Sequence, residues 1–462
     1  MSRLPILILL MLLAAFPAAA SASSSQSMTF EAPRELLDAG TRDRTLQEIR
    51  ELGVDRVRVL VYWRDVAPAP TSKRRPDFDA ADPNGYPAGA WGRLDGLFDS
   101  AQARGITVQL TLTGPVPRWA TKGKRDNVTS PSTKEFQAFA TAVGRRFGAR
   151  VGVWSIWNEP NHPQFLLPQF VKKKPKSPRI YRNLFLAGQR GLAASGNGAD
   201  TLLFGETAPR GTPRVVAPLA FLRGALCLDR NYHRRGRCAR VNAGGIAHHA
   251  YTKRVGPRFR PPDRDDVTIG VLSRLTKALD RAARAGAIRR GLGVYLTEFG
   301  IQSTPDPFVG VTLARQAEYL AIAEHMAYVN PRVRSFSQYL LSDDKPRKGS
   351  RVERYGGFES GLRFSNGKAK TSYAAFRLPL AAEAYGRSDV LWGRVRPQAA
   401  RTKVTILASP RKGKPFKPLR TVTTNHRGVF GLRATHHDRQ RYRVQWTPPT
   451  GKVWLGPPIR AS

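Results

Sequence analysis

The feature that most constrains this chain is an alternation. Strand-like and helix-like segments follow one another over roughly 350 residues. Residues 54–63 (VDRVRVLVYW), 106–113 and 201–206 are short, apolar and β-branched, as buried strands are. Between them, residues 43–52 place Leu46, Ile49 and Leu52 on one helical face, and residues 132–147 do the same with Phe136, Phe139 and Val143. Further strands are predicted at 28–32, from Val151, at 241–251, from Leu292 and at 333–341. Further helices are predicted at 91–104, 180–194, 215–226, 267–285 and 311–329. Eight strands with helices between them predict an α/β chain built as a (β/α)8 TIM barrel. An open doubly wound sheet would alternate too, but it gives no reason for polar residues at so many strand ends.

After a helical segment near 372–376 the texture changes. From about residue 388 the chain breaks into short alternating runs separated by Gly, Pro and Asn-His-Arg-Gly turns, which predicts a small Ig-like β-sandwich. At the other end, Arg3, an apolar run from Leu4 to Phe16 and the small residues Ala20-Ser-Ala22 have the layout of a secretory signal, too short to span a bilayer. The expected organisation is a signal peptide at 1–22, a barrel at 28–385 and a sandwich at 388–462. The mature protein is expected to be secreted as a monomer, without stable membrane insertion. In an oxidising compartment Cys227 and Cys238, the two cysteines of the chain, are expected to form a local disulfide. Nothing near them has metal-site spacing, and no cofactor is expected. Asn127-Val-Thr is a formal glycosylation sequon.

Two predicted strands end in a carboxylate. Val151-Gly-Val-Trp-Ser-Ile-Trp-Asn-Glu-Pro160 is apolar until Asn158-Glu159, and Pro160 cannot continue a sheet ladder. Leu292-Gly-Val-Tyr-Leu-Thr-Glu298 repeats the pattern. In a barrel such residues rise on the catalytic face. Two glutamates there are the minimum equipment for cleaving a glycosidic bond, one protonating the leaving oxygen and one attacking the anomeric carbon, roughly 5–5.5 Å apart in a retaining enzyme. Like-charge repulsion from an ionised Glu298 would raise the pKa of Glu159 and keep its proton in place. Glu206 also ends a strand, where a substrate hydrogen bond competes with a structural ion pair. Trp63, Trp119 and Trp157 are candidates for stacking on a sugar face or for the core, and His248 for a site or a satisfied strand histidine.

With these residues in place, the chain resembles the clan A glycoside hydrolases, close in pattern to families 5 and 39, over residues 28–380. The resemblance implies that Asn158-Glu159-Pro160 supplies the acid/base, with Asn158 on a sugar hydroxyl, and that Glu298 is the nucleophile. It implies that His249-Ala-Tyr251 is the motif whose tyrosine hydrogen-bonds the nucleophile, and that Arg58 orients the same carboxylate. Relatives usually carry a tryptophan after strand eight. Here Ser335-Phe-Ser-Gln-Tyr339 leaves Tyr339 as a smaller stacking surface. The implied activity is a retaining O-glycosidase acting on an oligo- or polysaccharide. A carbohydrate- or cell-wall-binding protein on the same scaffold is the competing reading.

Net charge is +42, from 76 basic and 34 acidic residues, which favours anionic partners. The basic residues are spread throughout, with no aromatic-basic RNA motif or recognition helix, so no nucleic acid is expected. Several cationic runs follow predicted strands: Lys73-Arg-Arg75, Lys122-Gly-Lys-Arg125, Lys172-Lys-Lys-Pro-Lys176 and Lys345-Pro-Arg-Lys348. All should surround one barrel mouth, which suits an anionic glycan.

Overall fold

A computed structural model describes residue 23, residues 25–397 and residues 400–461. The segment read as a signal peptide, 1–22, lies outside the described residues.

Eight strands form a closed parallel barrel: β1 (Ser27–Glu31), β2 (Arg56–Tyr62), β3 (Thr107–Thr113), β4 (Val153–Ile156), β5 (Thr201–Thr207), β6 (Gly245–His249), β7 (Gly293–Glu298) and β8 (Val333–Tyr339). Closure is made by β1 against β8, with Glu31 opposite Tyr339. The main helices between the strands are α1 (Arg42–Glu51), α2 (Gly92–Gln102), α3 (Thr133–Phe147), α4 (Ser177–Ala194), α5 (Pro218–Ala225), α6 (Leu272–Arg284), α7 (Leu313–Tyr328) and, after β8, α8 (Thr371–Arg377). Among the described residues no helix is long and apolar enough to cross a membrane.

The local reasons are visible in the sequence. On β2, Val57, Val59 and Val61 join the hydrophobic layer under the helices, while Arg58 at the alternate position is buried among polar groups. Helix α3 begins at Ser132, whose side chain accepts from the Glu135 backbone N–H, and it buries Phe136, Phe139 and Val143. Lys370, just ahead of α8, is itself buried. Its Nζ lies 2.6 Å from Asp343 Oδ1, 2.9 Å from Ser303 Oγ and 3.0 Å from the Glu359 carbonyl, so one ammonium ties together the loops after β7 and β8.

The C-terminal unit is a sandwich of two antiparallel sheets. One sheet contains β9 (Leu380–Tyr385), β10 (Ser388–Arg394) and β13 (Val429–Thr435). The other contains β11 (Lys403–Ser409), β12 (Lys417–Thr423), β14 (Arg441–Trp446), β15 (Trp454–Leu455) and β16 (Ile459–Arg460). Residues 380–385 had been expected in the barrel domain, but they pair along their whole length with β10. The sandwich therefore starts near residue 380 rather than 388. Leu-Ala-Ala-Glu-Ala-Tyr has weak strand propensity, and its state is set by the partner strand. Ala381, Trp392 and Val429 of the sandwich pack on Ile322 of α7, and buried Arg396 pairs with Glu324 of the same helix.

Candidate active site

The C-terminal ends of the strands bring together side chains from across the chain. Arg58 is their centre. Its Nε donates to Thr111 Oγ1 at 3.1 Å and to Glu206 Oε1 at 3.1 Å. Nη2 donates to Glu206 Oε2 at 2.6 Å and to Asn158 Oδ1 at 2.8 Å, and Nη1 to Glu31 Oε1 at 2.7 Å and Glu298 Oε2 at 3.4 Å. A planar guanidinium with a five-donor fork serves five partners at once in a way that lysine cannot.

Glu298 has a second partner, since Tyr251 Oη donates to its Oε1 at 2.7 Å. Burial, and then the Glu298 charge, push the Tyr251 phenol well above its ordinary pKa, so it stays a donor. Glu159 sits on a bent strand exit. Trp157 and Glu159 have φ of 72° and 39°, and Glu206 on the neighbouring strand has φ of 51°. Non-glycine residues in that region store about 1–3 kcal/mol each and cluster at functional sites. The bend is held by the Asn158 N–H on Thr113 Oγ1 at 3.0 Å and the Glu159 N–H on the Glu206 carbonyl at 3.0 Å.

The two glutamates meet at His249. Its Nδ1 is 3.0 Å from Glu159 Oε1 and 3.6 Å from Glu298 Oε2. Burial alone would strip the imidazole of its proton. The Glu298 charge and the Glu159 hydrogen bond outweigh burial and raise its pKa. Glu159 shifts the other way. Burial pushes its carboxyl up, but the hydrogen bond and charge of His249 hold it below its ordinary range. The expectation that Glu298 would raise Glu159 is thus corrected, because the hydrogen bond and charge of the intervening imidazole pull the other way. His248 keeps a purely structural pattern: Nε2 donates to the Val267 carbonyl at 2.8 Å, Nδ1 contacts Thr207 Oγ1 at 2.9 Å, and burial lowers its pKa to about 4.

Three expected substrate contacts are corrected. Trp63 is wholly buried, stacked on Phe139 at 5.4 Å and 12° and edge-on to Trp119 at 5.9 Å. Trp119 is buried as well, with its indole N–H on the Pro68 carbonyl. Neither offers a face to a sugar, because Phe136 and Phe139 of α3 cover Trp63, while Trp63, Phe78 and Arg75 surround Trp119, and Trp157 is wholly buried too. Glu206 has no exposure, and both its oxygens are taken by Arg58, one of them also by Thr111, so its role is the ion pair. Tyr339 ends β8 half-buried in an aromatic group with Tyr251 and Phe358. Cys227 and Cys238 are bonded, away from this site, in the segment after α5.

One residue was missed in the sequence. Glu31 ends β1 and carries the same signal as Glu206, a carboxylate closing an apolar strand. Burial, with a further push from the Glu298 charge, takes its carboxyl up to about 8 against the pull of Arg58. A raised carboxyl binds its proton more tightly in the folded chain than in the unfolded one. Its stabilising effect is complete below the ordinary value near 4.5 and is lost as pH rises through about 8. Thermal melts from pH 5 to 9 are therefore expected to show a stability loss that Glu31→Gln removes, since the amide keeps the shape without the charge. An unchanged slope in that variant would contradict the assignment.

Two cavities are lined by neighbours of the carboxylates, though by neither Glu159 nor Glu298 themselves. One of about 810 Å³ is lined by His162, whose backbone bonds that of Glu159, and one of about 420 Å³ by Tyr251. A third, of about 710 Å³ near Arg34 and Asp344, touches none of the residues around Arg58. Among the described residues, no cluster of three or more His, Cys, Asp or Glu is arranged to hold a metal. The runs at 73–75, 122–125, 172–176 and 345–348, cationic but for Gly123, Pro175 and Pro346, are exposed on loops of this same face. Arg75 is tied to Glu135 at 3.0 Å.

No protein-family model matches the sequence, and no curated protein matches it. Solved structures do resemble the fold. A family 39 glycoside hydrolase from the gut symbiont Bacteroides cellulosilyticus WH2 aligns with a TM-score of 0.52 at 18% identity, covering 90% of this chain and 80% of its own. An exo-beta-1,4-mannosidase from Opitutaceae bacterium strain TAV5 aligns at 0.47 and 18% identity, over 78% of this chain and 60% of its own. A GH5_18 protein from Streptomyces cattleya, solved with GlcNAc, aligns at 0.48 and 16%, over 76% and 78%. In fold, this chain is similar to the TIM-barrel glycoside hydrolases of clan A.

Proposed function

We propose that this chain is an exported retaining O-glycosidase, with Glu298 as nucleophile and Glu159 as acid/base. The observation that carries the reading is one imidazole nitrogen, His249 Nδ1, in contact with both carboxylates. Those two oxygens can be no farther apart than the two contacts laid end to end. That ceiling barely reaches the low end of the roughly 6.5–9.5 Å spacing of inverting enzymes. Attack of Glu298 on the anomeric carbon would form a glycosyl ester while the leaving oxygen takes a proton from Glu159. Water activated by Glu159 would then release the sugar with its original anomeric configuration.

The charge pattern supports this sequence of events. In the resting site burial works against a proton on His249, and the Glu298 charge and the Glu159 hydrogen bond more than offset it. Ester formation removes that negative charge, the imidazole releases its hold, and Glu159 regains a proton as the leaving group needs one. Arg58 and Tyr251 hold Glu298 pointed until attack. Asn158, held by Arg58, is the group closest in sequence to Glu159 able to bind a sugar hydroxyl. The Cys227–Cys238 disulfide supports export to an oxidising compartment.

The test is a panel of aryl-glycosides, neutral polysaccharides and uronic-acid polymers, assayed over a salt series with the product anomer followed by NMR. Retention of configuration and preference for an anionic glycan that fades with salt are expected. Inversion would displace the mechanism, and a salt-insensitive preference for neutral sugars would remove the anionic substrate. Binding without turnover across the panel would favour the carbohydrate-binding reading, to which the smaller Tyr339 surface lends its support.

A further inference from the structure

The cavity of about 420 Å³ beside Tyr251 differs in chemistry from a sugar site. Its walls come from the loops after β5, β6, β7 and β8. Val255, Ile301, Val309 and Phe358 supply apolar surface next to Tyr251, and Arg210, Lys253 and Arg254 supply charge. Ile301 is buried, but the other three are unusually open to solvent: Val255 is 68% exposed, Val309 50% and Phe358 37%, with Phe308 alongside at 47%. Single exposed apolar residues are ordinary, but here they converge from three consecutive loops onto one concavity, and such patches mark binding surfaces.

A sugar ring would be a poor occupant. Its hydroxyls need paired polar partners, and the neutral polar side chains of the lining, Thr252, Gln302 and Ser360, are too few among the apolar ones to satisfy most of them. The cations carry only donors, and they favour negative charge. The volume suits one small apolar group rather than a polymer, within the range of about 300–1,000 Å³ typical of small-molecule sites. Tyr251 lines the cavity and donates to Glu298, so the cavity borders the reacting centre.

We propose that this cavity holds an apolar, negatively charged part of the substrate, and that the natural substrate is an anionic amphiphilic glycoside rather than a plain polysaccharide. The inference deepens the glycosidase reading and rests on it for the word substrate, but the cavity's ligand chemistry can be tested without turnover.

The probes are octyl phosphate below its micellar concentration, octanol and inorganic phosphate, each titrated calorimetrically into the mature chain. Octyl phosphate is expected to bind at least about tenfold more tightly than either fragment, because apolar burial and charge pairing act together. Val309→Asp and Arg254→Glu, both changes at solvent-facing positions, are each expected to weaken it about tenfold or more. Equal affinity in the wild type and both variants, or phosphate alone binding as well as octyl phosphate, would overturn the proposal. Alkyl glycosides of increasing chain length add the link to catalysis: kcat/KM should rise with length in the wild type and stay flat in Val309→Asp. Selective octyl phosphate binding with no cleavage of any glycoside would leave the cavity assigned and defeat the glycosidase reading. Cleavage without chain-length dependence would do the reverse.

Discussion

Glu298→Ala is expected to lose turnover by about 10⁴–10⁶-fold, the scale on which removal of a covalent nucleophile acts. Its side chain both faces Tyr251 and Arg58 and shares His249 with Glu159. Deletion also opens space for a small anion beside Arg58. Added azide should then attack the anomeric carbon of an activated aryl-glycoside in place of the carboxylate and restore part of the rate. The product would be a glycosyl azide of inverted configuration, readable by NMR. This readout separates a lost nucleophile from a damaged fold, since a misfolded barrel gains nothing from azide. Wild-type turnover in the variant would remove Glu298 from the chemistry. Glu159→Ala should lose about 10²–10⁴-fold on substrates with poor leaving groups and much less on activated ones, as loss of an acid/base does.

Arg58→Met is expected to be among the most destabilising single changes in the chain. Removing one partner of a buried ion pair typically costs about 3–5 kcal/mol, because the other charge stays buried and unpaired. Here one guanidinium holds Glu206 through two oxygens, and Glu31, Glu298 and Asn158 besides, so the upper end is expected. Urea unfolding against the wild type measures it. Arg58→Lys keeps the charge but not the fork. It should recover part of the stability while kcat stays depressed, because Asn158 and Glu298 lose their orientation. A methionine variant as stable as the wild type would mean that the carboxylates around Arg58 do not depend on it.

Some of this site was legible from strand ends alone. Glu159, Glu206 and Glu298 close apolar runs, and a carboxylate there is a feature that local sequence displays. Glu31 displays it too, but on a short β1 whose neighbours carry no motif to single it out. The tryptophans failed for a different reason. Trp63 lies just past a buried strand, where a side chain that faces the barrel mouth and one that turns back beneath the helices have the same sequence neighbourhood. Only Phe136 and Phe139, brought in by α3, decide between them.

The sequence by itself determined the alternation that builds the barrel, the strands that end in carboxylates, and a second, all-strand unit behind them. Those are properties of period and composition, which are written along a single segment. The tertiary structure alone decided that Arg58 meets a carboxylate 240 residues away, that one imidazole is shared by two glutamates, and that residues 380–385 leave the barrel for the sandwich. These depend on barrel closure and on which strand lies beside which. Pairing across a closed sheet sets proton affinities through burial and charge at distances that no local pattern encodes.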